Sequence, residues 1–253
     1  HAPWGFADVT VSVTRMSDTV PFQQLIHRAG AQQVDGLVLA LAGLQRLFAD
    51  PQGHAAVAAR LAPLRWMVLP LSTCPAAPAQ GALALECRAD DPETRALLAS
   101  IHDTGTHELV TLELQHAEQF GAARERFGIT ALPVPELQHV TWLRGRDSAG
   151  RVHAEVLTGA DRPQPTRPVR AWSAAPTTRP QPESLPEVTV GSRDVFLAHA
   201  DALQGLRLPA ATRLWTSGVR SWQRLAERGV WVEGCGDSLG FGQLQTLLAT
   251  PVL

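Results

Sequence analysis

The chain has 253 residues, of which 45% are apolar and 18% charged, and its formal net charge is -2. That length can bury a substantial core in one large domain or in two to three small ones. The near-neutral balance excludes capture of nucleic acid or an anionic membrane by a basic field spread over the whole surface, and no run approaches the roughly 20 uninterrupted apolar residues of a membrane-spanning helix. There is no Lys, so the 22 basic residues are all Arg and Schiff-base catalysis through a lysine is excluded. Arginine forks suit a ligand bearing several carboxylates; a biased genomic base composition would give the same usage. Cys74, Cys87 and Cys235 are far apart and form no CxxC pair, which supports neither a disulfide framework nor a zinc site and fits a reducing cytoplasm. The first residue is His1 rather than Met and no signal architecture follows it, so a trimmed or partial chain is expected.

In chain order, residues 9–13 alternate β-branched and small polar side chains and read as a strand, 21–28 as a short helix, and 34–42 as a strand whose nearly unbroken apolar run suits a sheet covered on both faces. Residues 41–48 turn helical and 66–71 read as a further strand, a βαβ rhythm that favours an α/β layer structure. The Cys74–Gly81 stretch is a loop by its prolines and glycine, with a strand expected over 82–87. Asp91 is a candidate N-cap with proline at the first helical position, opening a helix through 94–102, and a second helix is expected over 106–120, with Leu109, Leu112, Leu114 and Ala117 as an imperfect apolar stripe. Residues 140–157 read as a hairpin about the turn at 147–150. The proline-rich stretch 159–186 reads as a linker. Beyond it, strands at 194–197, 213–216 and 230–233 alternate with helices at 200–206 and 221–228, a second α/β unit.

Generic chemical motifs are sparse. His102 and His107 are five apart, not the i, i+4 spacing that puts two ligands on one helix face, and no GxGxxG or Walker loop is present. The Gly234-Cys-Gly-Asp-Ser-Leu-Gly240 loop could cradle an anion with backbone N–H groups, or could be a plain strand-to-helix turn.

Several ordered stretches carry more: Asp35-Gly-Leu-Val-Leu-Ala-Leu-Ala-Gly-Leu-Gln-Arg-Leu47, then Leu69-Pro70, Ala79-Gln-Gly-Ala-Leu-Ala-Leu-Glu-Cys-Arg-Ala-Asp-Asp91, Thr94-Arg-Ala-Leu-Leu-Ala99, Val110-Thr-Leu-Glu113 and Trp142-Leu-Arg-Gly-Arg146 with Ala149-Gly-Arg-Val152. Over residues 8–157 the chain resembles the second and third domains of hydroxymethylbilane synthase, also called porphobilinogen deaminase. The resemblance implies α/β domains about a cleft, a dipyrromethane cofactor held to a cysteine by a thioether, and arginines pairing the carboxylates of pyrrole substrates. It places Arg15, Gln80 and Gly81 as substrate-binding candidates and puts Pro21 where a second arginine is expected. The family's Gly-Gly-Cys-Gln-Val-Pro segment falls after Glu113, but this chain reads Phe120-Gly-Ala-Ala-Arg-Glu-Arg-Phe-Gly128 there. The motif that supplies the family's catalytic aspartate is also absent. Cys87 is expected as a buried core thiol.

A shorter likeness runs from Val195-Phe-Leu-Ala198 through Leu214-Trp-Thr-Ser-Gly-Val-Arg-Ser-Trp222 to Gly240. It resembles one half of uroporphyrinogen-III synthase, an enzyme of two α/β lobes that cyclises hydroxymethylbilane. It implies substrate contacts at Ser217, Gly218 and Ser221, where backbone and hydroxyl donors open a helix; N-capping alone explains the same residues. The expectation is therefore a multi-domain α/β protein of small mixed sheets flanked by helices: a deaminase-like α/β domain at 1–105, a third-domain-like α+β region at 106–158, the linker at 159–187 and a synthase-like α/β segment at 188–253. No cofactor and no metal are expected. The expected partners are a tetrapyrrole or pyrrole precursor with carboxylate side chains and another pathway enzyme or a chain supplying the missing domain, without nucleic acid or membrane. Catalytic residues are left unassigned.

Overall fold

A computed structural model describes residues 38–49, 51–160, 188–189, 193–204 and 206–249; its mixture of helices and small sheets is of the α/β class. The expected strand at 9–13, the helix at 21–28, most of the strand at 34–42, Arg15, Pro21 and nearly all of the linker lie outside these residues. Helix α1 (Leu41–Ala49) falls where periodicity places it. Helix α2 (Pro51–Leu61) is an addition that the sequence reading left out; proline at its start and an alanine-rich body favour it.

Two expected strands belong to no sheet among the described residues. Residues 82–87 take no regular secondary structure; among the described residues no backbone hydrogen bond reaches the N–H or C=O groups of 83–87, and Leu83 is 92% exposed. A strand needs a neighbour to pair with, and none lies beside them among the described residues. Cys87 is accordingly exposed rather than a core thiol. Residues 66–71 form no assigned strand either, for a different reason given below.

Helix α3 (Pro92–Ala99) has the expected cap: the Asp91 carboxylate accepts from the Thr94 N–H at 2.9 Å and from its hydroxyl at 2.6 Å, which holds that carboxyl below its ordinary pKa. Asp103 caps α4 (Thr104–Glu118) in the same way through the Thr106 N–H. Next come a 3-10 turn, Gly121–Arg126, and strands β1 (Phe127–Val134), β2 (Gln138–Arg146) and β3 (Val152–Thr158), antiparallel in the order β1-β2-β3. The β2–β3 hairpin turns where expected, with the Gly150 N–H bonding the Asp147 carbonyl and Gly150 at φ +80°, which favours glycine. Strand β1 was not legible, because Gly128 and Pro133 break its pattern; Pro133 is tolerated at the end of an edge strand, opposite His139.

The sheet is covered on both faces, which is why four consecutive β2 residues, Val140 to Leu143, are buried. Ala117 of α4, Ala123, Phe127, Ile129 and Leu143 form one cluster, with Phe120 and Phe127 stacked at 3.6 Å. Val134, Val140 and Trp142 form the other, against Leu71 and Leu239. Trp142 is 2% exposed; burying an indole contributes on the order of 4 kcal/mol at about 25 cal/mol per Å², an upper figure.

The C-terminal unit pairs β4 (Val188–Thr189) with β6 (Leu206–Arg207) and builds a parallel sheet from β5 (Asp194–Leu197), β7 (Arg213–Thr216) and β8 (Gly234–Cys235), in the order β5-β7-β8. Strands 194–197 and 213–216 match expectation; the third pairs at 234–235, not 230–233. The helix expected at 200–206 is a 3-10 turn, Ala200–Leu203, cut short where β6 begins. Helix α5 (Val219–Ala226) stands for the one expected at 221–228, and α6 (Phe241–Leu248) closes the unit. Leu197, Leu214, Trp222, Leu225 and Val232 are its core.

The 66–71 segment joins this unit instead of completing a βαβ element with α1. The Val68 N–H donates to the Glu233 carbonyl at 2.6 Å, the Trp231 indole N–H donates to the Trp66 carbonyl at 3.0 Å, and Met67 packs on the C-terminal core. Trp66 lies 6.1 Å from Trp215 and beneath the Arg213 guanidinium at 5.9 Å. Apolar partners on that side are what draw it there.

Candidate functional site

Ser217 and Gly218 follow β7 at the carboxyl end of the parallel sheet, the end at which open α/β sheets bind ligands. The Ser217 hydroxyl donates to the Ala198 carbonyl at 2.7 Å and the Ser221 hydroxyl to the same oxygen at 3.4 Å, so both protons are spent tying the end of β5 to the start of α5. Gly218 is the N-cap and makes no side-chain cap bond. What this turn offers an anion is therefore the first-turn backbone N–H groups of α5.

The glycine loop after β8 lies against this turn. A Cβ on Gly218 would stand 2.5 Å from the Ser238 hydroxyl, so any larger residue there would have to turn that hydroxyl aside. The N–H groups of Gly236, Ser238 and Leu239 bond the carbonyls of Thr216, Ser217 and Gly236, so these three donors hold the loop against β7 and the Ser217 turn and are not open to an anion. Asp237 and Ser238 both have positive φ, a local backbone cost. The Asp237 carboxylate offsets part of it by accepting from the Ser72 N–H at 2.9 Å and from the Ser72 hydroxyl, which joins the loop to the 70–81 segment. The Arg144 guanidinium reaches the Ser72 carbonyl at 3.4 Å.

Gln80 and Gly81 end that segment, which runs along the outer edge of β1. The Ile129 N–H donates to the Ala76 carbonyl at 2.7 Å and the Ala76 N–H to the Thr130 hydroxyl at 2.8 Å. Glu113, 7% exposed, accepts from the Ala79 N–H and from the Ala131 N–H, both at 2.7 Å. It clamps the loop where Ala79 has φ +62° and Gly81 φ +99°. Gln80 is exposed, its carboxamide oxygen accepting from the Ala77 N–H at 3.3 Å. No hydrogen bond joins Gln80 or Gly81 to Ser217, Gly218 or Ser221. Sequence reasoning missed the Glu113 clamp, although the signal was there: Glu113 lies four residues from both Leu109 and Ala117, on the stripe that faces the sheet.

Beneath the parallel sheet, burial raises the Asp194 carboxyl, but hydrogen bonds from Arg213 at 2.6 Å and from Trp215 at 3.0 Å outweigh it and leave the pKa lowered. Burial raises Glu233, which accepts from the Leu214 N–H at 2.6 Å. Burial also pushes the Cys235 thiol up to about 12, so it is protonated at neutral pH and no nucleophile. Cys74 and Cys87 are exposed and free. Among the described residues no group of three or more His, Cys, Asp or Glu could hold a metal ion, and no helix is long and apolar enough to cross a membrane.

Residues 21–96 match the family model "Porphobilinogen deaminase, dipyromethane cofactor binding domain". This part of the chain is porphobilinogen deaminase-like. Among curated relatives, the porphobilinogen deaminase of Mycobacterium avium (strain 104) is 39% identical over 88 residues, 35% of this chain and 24% of that protein. That of Mycolicibacterium gilvum is 34% identical over 131 residues, 52% of this chain and 36% of the relative. That of Geobacillus kaustophilus is 30% identical over 132 residues, 52% of this chain and 39% of the relative. The matched stretch thus spans between a quarter and two fifths of these relatives' length. No solved structure matches the chain. The deaminase-like stretch contains Gln80, Gly81, Cys74 and Cys87, and ends in α3.

Proposed function

We propose that the chain is a tetrapyrrole (haem) biosynthesis protein in which a hydroxymethylbilane synthase-like part is joined to a uroporphyrinogen-III synthase-like segment, and that it has no deaminase activity of its own. One observation carries this: the deaminase match over residues 21–96 stands beside a segment, residues 120–128, that holds no cysteine where the family's cofactor anchor falls. A thioether needs a sulfur nucleophile. That segment instead offers the stacked Phe120 and Phe127 rings and a 3-10 turn ending at Arg126, none of which can form the thioether. Arg15, Gln80 and Gly81 are read as contacts to a pyrrole precursor. Ser217, Gly218 and Ser221 are read as a carboxylate turn acting through the N–H groups that open α5. A chain supplying the remainder of the deaminase-like fold is the expected partner, in the cytoplasm.

The same missing sulfur favours one other reading, a non-catalytic tetrapyrrole-binding or scaffolding partner. Intact mass before and after incubation with porphobilinogen, with products followed by absorbance and mass spectrometry, tests the proposal. The expected result is an unmodified mass and no bilane. A mass gain matching dipyrromethane on any cysteine overturns the claim of lost deaminase activity. Calorimetry with uroporphyrinogen separates the remaining readings, since absence of binding leaves only the scaffold.

A further inference from the structure

The two outer edges of the antiparallel sheet differ. Along β1 the 70–81 segment covers the edge, with the Ile129 N–H bonded to the Ala76 carbonyl. Beyond β3 no further strand pairs among the described residues. The hydrogen bonds that flank the β2–β3 hairpin fix which β3 residues face outward. The Asp147 N–H donates to the Arg151 carbonyl and the Gly159 N–H to the His139 carbonyl, both at 3.0 Å. With Trp142 opposite Val156 in the register, the odd-numbered residues of β3 therefore exchange bonds with β2. Val152, Ala154 and Val156 turn their N–H and C=O groups away from the sheet. Val152 is 56% and Val156 57% exposed, and Ala154 and Glu155 are exposed beside them. An apolar edge with outward backbone groups is a template for another strand.

The edge's own residues select the occupant. Val152-His-Ala-Glu-Val156 has the same order of apolar and polar residues in both directions. Against an antiparallel second copy centred on Ala154, Val152 falls opposite the partner's Val156, and every outward-facing residue meets another. Residues opposed in this way exchange both N–H···O bonds. His153 falls opposite the partner's Glu155, at the intervening positions where side chains come closest. The His153 ring has an atom to spare for it: Nε2 contacts Asp147 at 3.0 Å, whereas Nδ1 stands 3.7 Å from its own Glu155, beyond hydrogen-bond reach. A register centred on Glu155 would set carboxylate against carboxylate, which destabilises a strand pair, and one centred on His153 would set Val156 against the turn at Gly150. We propose that the free edge of β3 pairs with the same edge of a second copy of this chain, antiparallel and centred on Ala154, so that two sheets join into one about a twofold axis. A single strand pair buries little area, so the association is weak and depends on concentration.

The test is sedimentation of the whole protein over a range of concentrations, with amide exchange read at the β3 edge. A reversible monomer–dimer equilibrium is expected, with the Val152, Ala154 and Val156 amides exchanging more slowly as the dimer fills. Val156→Lys should weaken association about tenfold, since it breaks both valine pairs of the twofold. Adding Val152→Glu should restore much of that loss, because only this register sets the two positions opposite each other. Both side chains are more than half exposed, so neither change touches the core. Ala154→Cys, with Cys74→Ser and Cys87→Ser to remove the exposed thiols, should give a covalent dimer on mild oxidation, since directly opposed residues of a hydrogen-bonded pair lie about 5.5 Å apart at Cα. A monomer at every concentration overturns the proposal; edge amides that are then already slow would assign the edge to another segment of the same chain, and fast ones would leave it open. A dimer undiminished by Val156→Lys uses another face and overturns it too. A dimer weakened by that change and not restored by the second overturns the register.

Discussion

The antiparallel sheet and the C-terminal parallel sheet are each three strands wide, yet they close their cores differently. The antiparallel sheet draws on neighbours in sequence: α4 runs directly into the 3-10 turn and β1, and β1, β2 and β3 follow one another through short corners. The parallel sheet must recruit strands separated by crossovers, and it still takes Trp66, Met67 and Val68 from more than 120 residues upstream to cover β8 and the Arg213 side. Local closure covers one face of the antiparallel sheet, with Leu71 and Leu239 brought in over the other; borrowed closure ties the parallel sheet to the deaminase-like stretch.

The sharpest break in this contrast is Glu113→Ala. It leaves the buried N–H groups of Ala79 and Ala131 without their acceptor, at about 2–3 kcal/mol or more for charge-assisted bonds. Amide exchange should show α4 and β1 opening together with the 75–81 loop, while β5, β7 and β8 keep their protection. Trp66→Ala attacks the borrowed side. About 2 kcal/mol is expected for a half-buried indole, less than the cost of a fully buried one, and denaturant unfolding should show the C-terminal unit melting ahead of the antiparallel sheet. Coincident transitions for both units in that variant would show that the junction is not where the parallel sheet is weak.

The smallest effect comes from pH. Glu233 has its folded pKa raised above the ordinary 4.5 by burial, so its contribution to stability is fully present below that value and is lost as pH rises through the folded pKa. Glu233→Gln keeps an oxygen to accept from the Leu214 N–H. It should raise the neutral-pH Tm of the C-terminal unit slightly and flatten its decline above about pH 4.5, the ordinary value. Asp194 works in the opposite direction, its lowered pKa withdrawing stability as pH falls below 3.8. Melting curves from about pH 2 to 8 for both proteins would separate the two, and an unchanged slope in Glu233→Gln would remove Glu233 from the account.

What was legible was whatever the local chain decides. The Asp91 cap with Pro92 following, the α4 stripe, the 147–150 turn and the strands at 194–197 and 213–216 rest on capping chemistry, periodicity and turn residues, which act over a few positions. Of the candidate site, Ser217, Gly218 and Ser221 were found at a strand-to-helix turn, because small residues before an amphipathic run mark a helix start. That their hydroxyls are both turned to the Ala198 carbonyl was not readable, since Ala198 is 19 residues away from the nearer of them.

By itself the sequence determined the α/β class, the succession of most elements and the likeness to porphobilinogen deaminase, since these follow from composition, local pattern and ordered motifs. It could not say which extended segments become strands. Residues 66–71 and 82–87 carry comparable apolar patterns, yet one is docked beside Glu233 while the other stands exposed and takes no backbone partner among the described residues. Pairing and burial depend on which distant surface arrives alongside, and only the tertiary structure supplies that surface.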